Sequence, residues 1–269
     1  MKQTYLSRLA GSPLTEFLHK QGYNVNYVTE IGLISDETTH PEKLMALRGN
    51  VDYKVDPRIA THADVYMCQL GLWEEAGIFM GDRDKLGPVY PADIIYNAVC
   101  TRDYFIHFIQ HTDEELVDAV MTWRRDLALH DIIRATSDKD SGHRLPDEEE
   151  MKIVGVSQGY SRCSCLPVDN TSFITADRGL AGILENQGAS VLLIETGHIL
   201  LPGYNCGFIG GCGGSIYLED GTRAIVFNGN LGEHPDCDRI DEFIKCRNII
   251  PVWFDDYPLE DIGSIFATE

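Results

Sequence analysis

A histidine and an aspartate two residues apart, His62 and Asp64, stand at the start of an apolar run, THADVYM. On an extended chain that spacing puts imidazole and carboxylate on one face, where Asp64 can orient His62 for proton transfer; the alternative is a surface pair at a strand end. A second cluster is VSQGYSRCSC, from Val156 to Cys165. Here Gln158 and Tyr160 carry polar tips beside a glycine, and Cys163 opens the next apolar run with Arg162 as neighbour. A thiol near a cation and backbone donors ionises more easily and becomes a nucleophile, whereas one buried in a strand is a small inert hydrophobe.

The third candidate is the glycine-rich stretch GHILLPGYNCGFIGGCGGS, Gly197 to Ser215. Gly211 and its neighbours let backbone amides come close to a ligand or to an adjoining segment, with Ser215 at the strand entrance and Cys212 as a rival nucleophile. It is neither a Walker loop nor a dinucleotide fingerprint, because no GK[ST] follows and the run leads into a strand. Downstream, FNGNLGEHPD supplies Asn228 as a polar lining residue, and His234-Pro235-Asp236 reads as a helix start.

What positions these residues is a repeat. Strand pairs begin near Val65, Ile94, Cys163 and Ser215, the last closed by Asp220-Gly221, where glycine supplies a positive φ. Behind the Cys163 pair, Leu180, Ile183 and Leu184 mark one helical face, Gly188 a stop and Val191 to Ile194 a returning strand. The same plan is carried by Leu14, Phe17 and Leu18, by Leu116, Val117 and Val120, and by Ile240, Phe243 and Ile244, with a further helix from Pro41. The unit is strand, turn, strand, helix, strand, and its recurrence predicts a closed ring with one axial site. Residues 1–269 are expected to form a single α/β domain, with the polar 136–150 stretch inserted within one blade.

With 42 acidic against 22 basic residues, the chain carries a formal net charge of −20, which repels nucleic acid and anionic membranes and draws cationic small molecules. No apolar run approaches a membrane span, so a soluble cytoplasmic protein is expected, as monomer or homo-oligomer. Eight cysteines without a CxxC pair give no zinc knuckle. Cys163 and Cys165 on one strand face, with His62, remain a lesser metal-binding alternative.

The strings HADV, YPADIIYNAV, QGYSRCSC, GHILLPGYNCGFIGG and FNGNLGEHPD resemble an uncharacterised bacterial family of the guanidino-group modifying enzyme, or pentein, fold. The resemblance covers nearly the whole chain. It implies a five-bladed α/β propeller of ββαβ repeats with pseudo-fivefold symmetry. It is similar to arginine deiminases, dimethylarginine hydrolases, agmatine deiminases and amidinotransferases, in which a Cys attacks the guanidinium carbon, a His moves protons and carboxylates hold the cation, without metal or other cofactor. Carried over residue by residue, Cys163 becomes nucleophile, His62 acid/base and Asp64 its orienting partner, with Gln158, Tyr160, Asn228, Gly211 and Ser215 binding substrate. The chain departs from the pattern at Gly213-Gly214-Ser215, where active relatives often have Gly-Gly-acidic. That departure favours the competing expectation, a non-catalytic pentein used for binding or assembly.

Overall fold

The computed structural model describes residues 1–35, 53–137 and 150–269. The expected helix from Pro41 falls outside them, as does nearly all of the polar 136–150 stretch. The described residues form a mixed α/β architecture of four small sheets, with no closed barrel among them.

In chain order, β1 (Gln3–Ser7) leads into helix α1 (Ser12–Lys20), and β2 (Asn24–Thr29) returns parallel to β1 with β3 (Gly32–Ser35) antiparallel beside it. A single helical turn, α2 (Ala63–Tyr66), precedes the hairpin of β4 (Met67–Leu70) and β5 (Gly77–Met80). Next come β6 (Val99–Cys100) and β7 (Tyr104–His107), the long helix α3 (Glu114–Ser137), and β8 (Lys152–Gly155) parallel to β7. A second helical turn, α4 (Ser161–Ser164), precedes β9 (Cys165–Pro167) and β10 (Ser172–Thr175), which helix α5 (Arg178–Asn186) links to a parallel β11 (Ser190–Leu193). The last unit is β12 (Gly213–Tyr217), β13 (Arg223–Phe227), helix α6 (Cys237–Lys245) and β14 (Ile250–Val252). Finally β15 (Phe266–Thr268) pairs antiparallel with β1, so the two ends of the chain share a sheet.

The recurring unit is therefore an antiparallel pair, a helix and a parallel return, and four sheets carry it. Each short helix buries one stripe: Leu14 and Leu18 in α1, Leu180 and Leu184 in α5, Ile240 and Ile244 in α6. Each such side chain contributes about 1.5–3 kcal/mol when taken out of water. Helices α1 and α5 stop alike. After each, a glycine in the left-handed region, Gly22 at φ 82° or Gly188 at φ 84°, turns the chain, and the next amide bonds back to Leu18 or Leu184. The Asp220-Gly221 turn also forms, with Gly221 at φ 82°.

Three local expectations are corrected. Residues 161–164 make a helical turn, so Cys163 lies one turn before the strand that begins at Cys165, and the two thiols do not share a strand face. The His62-Asp64 pair likewise meets a helical turn, because residues 63–66 close one as α2. Helix α6 starts at Cys237 with Asp236 as its N-cap residue, so Pro235 stands outside it. No helix of the described residues is long and apolar enough to cross a membrane.

One buried group makes stability depend on pH. His107 is fully buried, with Nε2 bonded to the Ile94 carbonyl at 2.9 Å and Nδ1 to Thr112 Oγ1 at 2.6 Å. Burial lowers its pKa from 6.5 to about 4, against the Ile94 carbonyl, which raises it. Unfolded chain takes up the proton below pH 6.5 and folded chain only near pH 4, so stability is lost as pH falls through that window. The loss attributable to His107 is about 3 kcal/mol. Urea midpoints at pH 7 and pH 4 should therefore drop less in His107→Gln than in the parent; equal drops would remove His107 as the cause.

Candidate functional site

Five segments that lead into strands meet at one place. They are His62–Asp64 before β4, Asn97 before β6, Arg162–Cys163 before β9, Gly210–Gly211 before β12 and Asp261–Ser264 before β15. Hydrogen bonds tie them directly. Asp64 N donates to the Gly263 carbonyl at 3.1 Å, Ser264 N to Gly211 at 2.8 Å and Gly211 N to Cys163 at 3.0 Å. Asn97 Oδ1 accepts from Arg162 N at 2.8 Å. The Arg162 guanidinium, itself buried, donates to the carbonyls of Gly210 (2.8 Å) and Gly213 (3.0 Å) and lies over the Phe266 ring. A fixed cation thus sits beneath the site, bonded to carbonyls rather than to a carboxylate.

At the centre is the Cys163 thiol, 4 % exposed. It donates to Asp64 Oδ2 at 3.0 Å and accepts from Asn97 Nδ2 at 3.4 Å. Burial first, and then the charges of Asp64 and Asp261, push its pKa well above the ordinary thiol value. The resting sulfur is a protonated thiol. Asp261 is 2 % exposed; its oxygens accept from Gly263 N and Phe208 N, both at 2.9 Å, and Oδ1 lies 4.0 Å from His62 Nδ1. Burial raises its pKa, while the His62 imidazole works against that rise.

Two backbone features fix this geometry. Gly263, at φ 73°, lies against His62 so closely that any side chain there would overlap the ring. Ser264 is a non-glycine residue in the left-handed region, also at φ 73°, a conformation that costs of order 1–3 kcal/mol. Its hydroxyl donates to Asp64 Oδ2 at 2.5 Å. Asp64 Oδ2 is thereby held by two donors, while Oδ1, equally buried, has no partner. A buried carboxylate oxygen without a protein partner costs free energy unless a ligand or water supplies a donor.

The cluster forms the floor of a cavity of about 290 Å³, near the lower end of the range for small-molecule sites. Of the residues singled out in the sequence, Cys163, His62, Asp64 and Tyr160 line it. His62 and Asp64 are both there, but the helical turn separates their tasks: Asp64 bonds Cys163, and Asp261 faces His62. The other expected binding residues are used elsewhere and do not line the cavity. Gln158 braces its own turn through Tyr160 N and reaches Asp177. Asn228 accepts from Gly11 N and the Tyr257 hydroxyl. Ser215 is buried in β12 against Gln69. Gly211 serves packing, since a methyl there would overlap the Asp261 carboxylate. Cys212 donates its thiol to the Ile209 carbonyl at 3.2 Å, wholly buried.

Sequence reading missed Asp261, Asn97, Ser264 and the wall residue Tyr204. One signal was available: Asp261-Ile262-Gly263-Ser264 precedes a short apolar strand much as His62-Ala63-Asp64 does. For metal binding, Cys165 is not part of the site; burial raises its thiol pKa to about 12. The metal-capable group among the described residues is His62, Cys163 and Asp261, whose ligand atoms lie within 4.8 Å of one another.

Residues 139–266 match a family of unknown function, DUF6873. That span contains Arg162, Cys163, Asp261 and Ser264, while His62, Asp64 and Asn97 lie upstream of it. Neither a curated protein nor a solved structure matches the chain.

Proposed function

We propose that the chain is a cysteine-dependent enzyme of the pentein type, acting on a guanidine or amidine cation through a covalent adduct on Cys163. The observation that carries this reading is Asp64, whose buried Oδ1 lacks a donor while the carboxylate lines the cavity beside the thiol. A planar guanidinium offers paired N–H donors of the right charge. The carboxylate missing at Ser215 is made up by Asp64 and Asp261, which come from two other strand entrances. Five converging entrances, four of them opening units of the ββαβ kind, fit a five-bladed propeller with pseudo-fivefold symmetry.

In this mechanism the cation is held by the two carboxylates and offsets the charges that keep the thiol protonated. Cys163 then loses its proton to His62, and the sulfur forms a bond to the guanidinium carbon. His62 returns the proton to the departing amine as the C–N bond breaks, leaving a thiouronium adduct. Water attacks that carbon, giving its proton to His62; the C–S bond breaks and the thiol is regenerated with a urea product. An amine in place of water gives transfer instead of hydrolysis.

The test is covalent. Treatment with 2-chloroacetamidine should modify Cys163, identified by peptide mass spectrometry, and a panel of guanidines should yield ammonia, amine or urea. Absence of both would overturn the reading and leave a binding or assembly module. A metal-site reading is favoured by the 4.8 Å grouping of His62, Cys163 and Asp261. Tight, stoichiometric zinc in the purified protein, displaced together with chloroacetamidine protection, would choose it.

A further inference from the structure

The proposed reaction fixes the cationic end of a substrate and says nothing of its tail. Above the carboxylates, the cavity walls are the apolar Ile59, Val65, Leu201 and Phe208 with the rings of Tyr160 and Tyr204. Both phenols already donate outward, Tyr160 to Asp93 Oδ2 at 2.7 Å and Tyr204 to Asp56 Oδ2 at 3.3 Å. Among the described residues lining the cavity none is Lys or Arg, and the remaining amide, Asn205, brings no charge.

A cation does stand beside this wall, and each of its three nitrogens already has a partner. Arg58 Nε and Nη2 bond Asp56, Nη1 bonds the Gly203 carbonyl at 2.9 Å, and the guanidinium stacks 4.1 Å from the centre of the Tyr204 ring. The carboxyl groups around the cavity are Asp64 and Asp261 on the floor and Asp56 and Asp93 behind the two tyrosines. Asp93 Oδ1 is buried without a partner, and burial raises that carboxyl's pKa. A carboxylate on the substrate tail would be stripped of water here, with no Lys or Arg among the described lining residues to receive it. A hydrocarbon chain would instead bury apolar area against four aliphatic or aromatic side chains, and a terminal amine would meet a field of the attractive sign.

We infer that the site takes guanidines whose tail carries no carboxylate, namely alkylguanidines and guanidinoalkyl amines, and disfavours guanidino acids. This rests on the proposed reaction at Cys163 and adds to it a choice among its substrates.

The experiment compares chain-matched compounds on the full-length protein: butylguanidine and 4-aminobutylguanidine against 4-guanidinobutyrate and arginine. Product release gives kcat/KM, and mass spectrometry follows the adduct on Cys163. The carboxylate-free pair should be at least about tenfold better, the factor that 1.4 kcal/mol represents. If a guanidino acid matches or exceeds them, this inference falls while the reaction assigned to Cys163 stands. If no compound turns over or modifies Cys163, that assignment falls, and the inference falls with it.

Discussion

Replacing Cys163 by serine should lower guanidine turnover at least about 10³-fold in kcat/KM, because a hydroxyl cannot be ionised by the same surroundings to a comparable nucleophile. The fold should survive the change. Serine keeps a donor toward Asp64 Oδ2, which the thiol now approaches at 3.0 Å, and is smaller than the group it replaces. Unfolding stability should shift by no more than about 1.5 kcal/mol, as for other near-isosteric core changes. The comparison variant is Cys212→Ser. That thiol is directed to the Ile209 carbonyl, and burial pushes its pKa up, with Asp261 adding to the rise. Its loss should leave chloroacetamidine modification intact. Measured together by intact mass and kcat/KM, the two variants separate the rival nucleophiles: loss in Cys212→Ser with retention in Cys163→Ser would reverse the assignment.

How far the molecule could be read from its residues depended on the range of the interactions involved. The stripes Leu14/Leu18, Leu180/Leu184 and Ile240/Ile244 are local patterns, and each became a buried helix face followed by a return strand. Gly22, Gly188 and Gly221 were equally local, since a turn with positive φ selects glycine at the position itself. Cys163 and His62 were visible by type at strand entrances. Their pairing was not. A spacing of two means one face only on an extended chain, and the helical turn over residues 63–66 sends Asp64 to the sulfur while His62 turns to Asp261. Asp261 had no periodic signal at all. Its one local sign is its place before a short apolar run; it reaches the site because β15 pairs with β1 across nearly the whole chain length, a contact no local window reports. Gln158, Asn228 and Ser215 are the converse case: polar residues beside glycines looked available for ligand, and in the fold they bond turns and neighbouring strands.

Asp64→Asn should move two readouts in opposite directions, which a merely structural role would not do. In the parent, the Asp64 carboxylate ranks next after burial among the causes that raise the Cys163 pKa. Removing that charge lowers the thiol pKa, so the thiolate forms from a lower pH upward, and at any fixed pH on the rising limb alkylation by neutral iodoacetamide becomes faster. Guanidine turnover should fall instead. The cation loses one of its two carboxylate partners in a desolvated site, a loss of about 2–5 kcal/mol, or roughly 30- to 4,000-fold in kcat/KM. Ser264 keeps an acceptor in the amide oxygen, so its left-handed backbone at φ 73° should still be held. The pH–rate profile of iodoacetamide alkylation and kcat/KM on butylguanidine, taken on one preparation, decide the matter. If both readouts fall together, Asp64 acts through the fold; if alkylation quickens while turnover collapses, its charge both restrains the thiol and recruits the cation that releases it.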